Sequence, residues 1–532
     1  MKKQILFLIG AAVLSVGFFS GCIKDLDRQP YNLETSLTVY EKPENYIHVL
    51  AKCYAGLAVS GQTGPAGNAD LVGIDEGFSQ YLRQFWQLQE LPTDEAVIAW
   101  NDGTIQELNK MTWSSRNEFV TILYNRIMYQ ITLCNEFIRQ SEESRLDDRG
   151  FGADDKAKIA KFRAEARFLK ALSMFHGLDL YGNLPNTSDE TKFPGGEFPE
   201  QFTKTGLFNY IESELKTIEG LISSRTESEY GRANKSAVQM LLAKLYLNAQ
   251  VSTGTERNAD VIVYCNKVLG EGNYSLEPNY RHLFFADNHT SNEIIFPICF
   301  DGTRTKTFGG TTYLIHAPVG GPTWFAADSF GISAGGWFGL RTTVALYNKF
   351  SDTTLDGRFL FFRNGHTADI TTLATFTNGY GIRKFRNINK DLSVGSDPVN
   401  FADTDFPLFR LADVYLMYAE ATKRGGANGI EGTAVTYVNQ LRERAYGNSN
   451  ANITAGDLTL DFILDERARE LYWEGHRRTD LIRFGKFTGG SYIWPWKGGV
   501  SAGASVSDNF NIYPIPFSDL TANPNLKQNS GY

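Results

Sequence analysis

Apolar residues recur at three- and four-residue spacing through most of the first half of the chain. Between positions 153 and 180, Ile159, Phe162, Ala166, Leu169, Leu172 and Phe175 fall on one stripe with Lys and Glu opposite, which predicts a long amphipathic helix. The stretches 116–139 and 234–249 repeat the pattern, each ending near Gly, Ser or Thr, and turn-rich segments join them. Such helices bury their stripes by stacking in pairs. Ala164, Ala166 and Ala171, set among Phe162, Phe168 and Leu172, let neighbouring helices approach closely, as in tetratricopeptide-type hairpins. The repeat is too degenerate to count.

The texture changes over 272–399. Glycine, threonine and aromatic residues replace the amphipathic runs, as in Phe308-Gly309-Gly310-Thr311-Thr312-Tyr313 and Gly335-Gly336-Trp337-Phe338-Gly339, and predict loops and short strands. Helical patterns resume at 407–423, 433–446 and 458–487, before Trp494-Pro495-Trp496 and a Gly-rich tail. The expected fold is mainly α, a tetratricopeptide-like helix-pair scaffold (22–271 and 400–532) with a loop- and short-strand-rich insertion (272–399) carrying the ligand site.

Composition narrows the function. The 532 residues are 42% hydrophobic and 21% charged, which suits a packed globule rather than a disordered chain or a fibre. Fifty-two basic against 60 acidic residues leave a net charge of −8, so no overall positive field draws nucleic acid. Aromatic residues reach 13%, enough for some to face a ligand. Residues 1–21 have the make-up of an export signal, with Lys2 and Lys3, an apolar run from Ile5 to Leu14, and Ser20-Gly21 before Cys22. That ending resembles a bacterial lipobox, with Phe19 where Leu is usual, so Cys22 is expected to be acylated and to begin the mature chain. No later stretch offers the ~20 consecutive apolar residues that span a bilayer, so membrane attachment is expected through the lipid alone. Cys53, Cys134, Cys265 and Cys299 form no CxxC pair and read as buried free thiols.

The C-terminal third carries long recognisable strings. One runs Phe409-Arg410-Leu411-Ala412-Asp413-Val414-Tyr415-Leu416-Met417-Tyr418-Ala419-Glu420-Ala421, and Val438-Asn439-Gln440-Leu441-Arg442-Glu443-Arg444-Ala445 follows. Then come Asp465-Glu466-Arg467-Ala468-Arg469-Glu470-Leu471-Tyr472-Trp473-Glu474-Gly475-His476-Arg477-Arg478 and a closing Asn523-Pro524-Asn525-Leu526-Lys527-Gln528-Asn529. With Thr93-Asp94-Glu95 and Arg163-Ala164-Glu165-Ala166-Arg167-Phe168 upstream, these strings resemble the SusD/RagB family of outer-membrane lipoproteins of Bacteroidetes, over essentially the whole mature chain. The resemblance implies one SusD-like domain over 22–532 and a lipid-anchored, surface-exposed place on the outer membrane. It also implies docking on a SusC-type TonB-dependent transporter and capture of an oligosaccharide for import, with no catalytic step and no cofactor. A starch-like α-glucan is the favoured ligand, and a RagB-like partnership with a peptide importer is the alternative.

A glycan site needs aromatic faces to pack on the C–H face of the sugar and planar polar groups for its hydroxyls. Two regions qualify. The first holds Asp75, Arg83, Trp100, Asn101 and Asp102; in starch-binding members of the family an acid, an arginine and a tryptophan occur at similar spacing. The second holds Tyr313, Trp324 and Trp337, in a segment resembling the one that supplies facing aromatics in those members. Trp86, Trp113 and Trp473 sit in apolar contexts and are expected in the core. The charges from Glu466 to Lys486 balance in sign and are expected to pair at i,i+3 or i,i+4 along a scaffold helix. Gly331-Ile332-Ser333-Ala334-Gly335 matches the GxSxG elbow but lacks a following helix, the seven His show no HExxH spacing, and no EF-hand loop is present. Adjacent acids such as Asp94 and Glu95 tend to point apart, which argues against a glycosidase pair.

Overall fold

The computed structural model describes residues 36–532 other than 66, 68, 72, 76, 189–197, 272, 321–326 and 334. The leader 1–21, Cys22 and Trp324 lie outside the described residues. Two compact units are distinguished, Met1–Tyr46 and Ile47–Tyr532. In the first, the Asn45 amide donates to the Val39 carbonyl (2.9 Å) behind a single helical turn, Ser36–Val39, and Tyr40 meets Tyr46 edge to face.

The regular structure of the second unit is mainly helical, as the periodicity predicts. Its main helices are α1 (Tyr81–Glu90), α2 (Glu118–Gln140), α3 (Ala153–Tyr181), α4 (Lys204–Ile218), α5 (Lys235–Leu247), α6 (Asn258–Glu271), the short α7 (Gly310–His316), α8 (Leu411–Lys423), α9 (Glu431–Tyr446), α10 (Leu460–Leu471) and α11 (Arg477–Arg483). Neighbours in sequence pack together, α2 on α3, α3 on α4, α5 on α6 and α8 on α9, while α6 also packs on α8 and continues the stack into the C-terminal third. Local chemistry sets the helix starts. Asn117, Thr203 and Asn234 each accept an N–H from the first turn of α2, α4 and α5, a cap worth about 1 kcal/mol. The single stripe expected on α3 describes only its first half; from Ala164 to Ser173 every residue except Arg167 is buried, because α2 and α4 flank the helix.

The strands are short and antiparallel: β1 (Val97–Ile98) on β3 (Leu340–Arg341), β2 (Ile294–Ile298) on β6 (Phe406–Arg410), and β4 (Phe361–Phe362) on β5 (Gly381–Ile382). Three expectations need correction. Residues 407–410 are strand rather than helix, since the run Phe406-Pro407-Leu408-Phe409 is buried against β2 and α8 starts only at Leu411. The stretch 458–487 is two helices, interrupted where Trp473 takes a left-handed φ of 63° and Gly475 one of 79°. Glu95 and Glu90 hold this break, accepting the N–H groups of Trp473 (3.0 Å) and Gly475 (2.6 Å). Third, Cys299 is exposed just beyond the end of β2, whereas Cys53, Cys134 and Cys265 are buried free thiols as expected.

The charged segment is scaffold, but most of its pairs join different elements and are buried. Arg410 contacts Glu293 (2.9 Å), Glu470 (2.7 Å) and Glu474 (2.6 Å); Arg444 contacts Glu293 (2.9 Å) and Glu470; Arg358 contacts Asp356 (2.8 Å) and Glu466 (2.7 Å). Lys384 adds a contact to Glu474 at 2.7 Å. Within the segment, Arg469–Glu466 and Arg483–Asp480 keep the helical i,i+3 spacing. Because the guanidinium groups out-compete burial, Glu466 is held down at about 2 and Glu470 well below the usual carboxylate range. Trp86, Trp113 and Trp473 are core residues, as expected.

Candidate functional site

The first candidate region is built on the start of α1 and the end of β1. Gln80 caps α1, its side-chain oxygen accepting from Arg83 N (2.6 Å) and also from Gly310 N (2.9 Å), so one amide ties the first turn of α1 to that of α7. This brings Arg83 over Tyr313, with the guanidinium carbon 4.4 Å from the Tyr313 ring centroid and 5.5 Å from that of Trp100. Arg83 Nη1 donates to the Phe308 carbonyl at 3.0 Å, while its Nε has no partner. Burial pushes this guanidinium down to about 10, against the pull of Tyr313, Asp102 and Asp75.

The β1–β3 ladder sets Trp100 beside Trp337. It continues past the named strands with Ala99 N donating to the Gly339 carbonyl (2.8 Å), which lays the Trp100 indole on Gly339. A β-carbon at position 339 would come within 2.7 Å of that ring, so glycine is required for the approach. Trp100 Nε1 donates to the Trp337 carbonyl at 2.8 Å, and the two ring planes meet at 39° with centroids 6.5 Å apart. Trp337 in turn stacks on His316 at 5.0 Å and 22°. Burial drives the His316 imidazole down to about 4, so it stays neutral under the indole at physiological pH.

Six of the seven candidate residues therefore gather in or beside one cluster, though not all as expected, and Trp324 lies outside the described residues. Trp100 and Trp337 are half-buried, each with surface left free. Tyr313 is fully buried beneath Trp100 and Arg83, its hydroxyl accepting from Gln87 Nε2 (3.1 Å), so it supports the platform instead of presenting a face. Asp75 is exposed and its Oδ1 accepts from Gly77 N at 2.7 Å. Asn101 is exposed next to Trp100 and makes no hydrogen bond among the described residues. Sequence reasoning missed His316, Gln87 and Phe308, which lie under or beside the indoles, and it read Phe308–Tyr313 as loop or short strand, whereas Gly310–His316 is the helix α7.

Beneath the platform, Asp94 and Glu95 anchor β1. Arg477 grips Asp94 with two hydrogen bonds (2.7 and 2.8 Å), and the Thr342 hydroxyl donates to the Glu95 carbonyl at 2.7 Å. Both acids are buried and engaged in structure, which removes them as a hydrolytic pair. Burial and the Asp94 charge push Glu95 up to about 7 despite Arg477, while Arg477 holds Asp94 down at about 2 against burial.

Comparison with known proteins agrees with this architecture. The SusD family model matches residues 240–532, and the starch-binding protein SusD of Bacteroides thetaiotaomicron is 36% identical across 100% of this chain and 99% of its own length. The chain belongs to the SusD family. A SusD-like protein of Bacteroides ovatus is 24% identical over 92% of this chain and 83% of its own. Among solved structures, a SusD superfamily protein from Parabacteroides distasonis superposes with a TM-score of 0.70 at 21% identity, covering 92% of this chain and 99% of the other. The surface glycan-binding protein A from Bacteroides thetaiotaomicron in complex with laminarihexaose gives 0.68 at 20% identity, covering 91% and 99%. These structural likenesses fix the fold as that of the SusD superfamily. Among the described residues no helix is long and apolar enough to cross a membrane.

Proposed function

We propose that this protein is a cell-surface lipoprotein, anchored through Cys22, that binds an oligosaccharide of the starch-like α-glucan class. It passes the glycan to a SusC-type TonB-dependent transporter and carries out no catalytic step. The observation that carries this reading is the inclined pair Trp100 and Trp337, each partly exposed, with Asp75, Asn101 and Asp102 at its edge and Arg83 behind it. Two indoles at 39° form a shallow curve, which suits a glycan that itself curves. Stacking takes the sugar's C–H face while the edge residues take its hydroxyls. The whole-length likeness to the starch-binding SusD supports the ligand class. The partly exposed indoles favour a sugar over the peptide-importer alternative.

Isothermal titration of residues 23–532 with maltoheptaose, laminarihexaose, a fructan and a peptide digest tests the reading. Saturable binding of maltoheptaose, lost in both Trp100→Ala and Trp337→Ala, is expected. Binding of the peptides alone, or glycan binding untouched by either substitution, would overturn it.

A further inference from the structure

The glycine-bounded turn that carries Trp337 also carries Phe338, and two features set that residue apart. Its backbone lies in the left-handed region (φ 54°), which a bulky aromatic residue rarely occupies, and its side chain is 46% exposed. A strained aromatic residue that was simply filling the core would be buried, whereas this one spends backbone strain to keep its ring at the surface.

The surroundings hold it there. Three successive N–H groups are tied to the end of α7 and the residues just after it: Trp337 N to the His316 carbonyl (2.9 Å), Phe338 N to that of Val319 (3.0 Å) and Gly339 N to that of Ala317 (2.8 Å). Room for the ring is made by Gly320, where a β-carbon would come within 2.5 Å of it. The ring leans on Phe376, 5.6 Å away, which is itself packed on His366 at 5.4 Å. Gly320 and Phe376 support the ring, and nearly half of the residue stays exposed.

We propose that Phe338 is a further sugar-binding residue, extending the Trp100–Trp337 platform by one subsite and making affinity depend on oligosaccharide length. The proposal rests on the glycan-binding reading given above. Phe338 follows Trp337 directly, with consecutive Cα atoms about 3.8 Å apart, so both residues lie within the span of one oligosaccharide. A short ligand is held by the two indoles alone, and a longer one also covers Phe338.

Titration of the wild type, Phe338→Asn and Phe338→Tyr with maltotriose and maltoheptaose tests this, with thermal melts confirming that each variant folds. Asparagine tolerates the left-handed backbone while removing the ring, and tyrosine keeps the ring. Phe338→Asn is expected to weaken maltoheptaose binding roughly fivefold, to leave maltotriose unchanged, and to differ from Phe338→Tyr, which stays near wild type. Equal affinities for maltoheptaose in all three proteins, with Trp337→Ala still abolishing binding, would overturn the subsite while leaving the platform intact. Equal losses for both ligands would overturn the length dependence. Absence of binding by the wild type to either sugar would overturn the underlying reading and the subsite with it.

Discussion

Gly339→Ala isolates what one missing methyl group does for the platform. Gly339 does not use the left-handed region, so alanine fits its backbone and only the Trp100 ring stands in the way, 2.7 Å from the new β-carbon. To relieve the clash the indole must swing off, giving up its hydrogen bond to the Trp337 carbonyl and its packing on Tyr313. The hydrogen bond contributes about 1 kcal/mol and the aromatic contact a similar amount, so seating the ring again for a ligand costs about 2 kcal/mol. That corresponds to roughly thirtyfold weaker glycan binding, at tenfold per 1.4 kcal/mol. Titration with maltoheptaose measures it, and the decisive comparison is a double-mutant cycle read as unfolding stability, because Trp100→Ala itself is expected to lose the ligand. In a Trp100→Ala background the space is already empty, so Gly339→Ala should add nothing. A further loss of stability in the double variant would refute the claim that position 339 acts through Trp100.

Two further outcomes follow from the buried charges. Glu470→Ala removes one of the two carboxylates, Glu470 and Glu293, that Arg410 and Arg444 share in the core, and should lower unfolding stability by about 3–5 kcal/mol in chemical denaturation; a loss under about 1 kcal/mol would contradict the pairing described. Glu95 is raised from 4.5 to about 7 by burial, so the native state holds its proton more tightly than the unfolded chain does. Its contribution is complete below about pH 4.5 and fades as the pH rises through 7. Glu95→Gln, which imitates the protonated acid, should therefore gain stability relative to wild type across that window in thermal melts, and a difference independent of pH would exclude the titration.

Much of the helical scaffold was legible because α2, α3 and α5 announce themselves by spacing, and Asn117 and Asn234 mark their starts. The family strings then gave the fold. Tertiary demands hid the rest. Nothing local in 458–487 says that Trp473 leaves the helix, because the cause is the carboxylate of Glu95, 378 positions away. The charges around Glu470 satisfy a helical pairing rule on paper, and only the packed structure shows that Glu470's partners come from Arg358, Arg410 and Arg444. At the platform, sequence named Trp100, Trp337 and Arg83 by residue type. It placed Tyr313 beside them but could not foresee its burial, since depth beneath a neighbouring ring leaves no periodic trace.

The grip of Arg477 on Asp94 spans 383 positions and bears on how the molecule is made. The strand that presents Trp100 has its anchor in the last part of the chain to be synthesised. Closing so long a loop is slow and entropically costly compared with pairing adjacent helices. The helix hairpins can therefore form early, whereas the aromatic surface is completed late, when the C-terminal segment arrives to clamp β1. A chain cut short before Arg477 would keep much of its helical content and lack an ordered platform, so ligand binding reports on whether the whole polypeptide has been finished and folded.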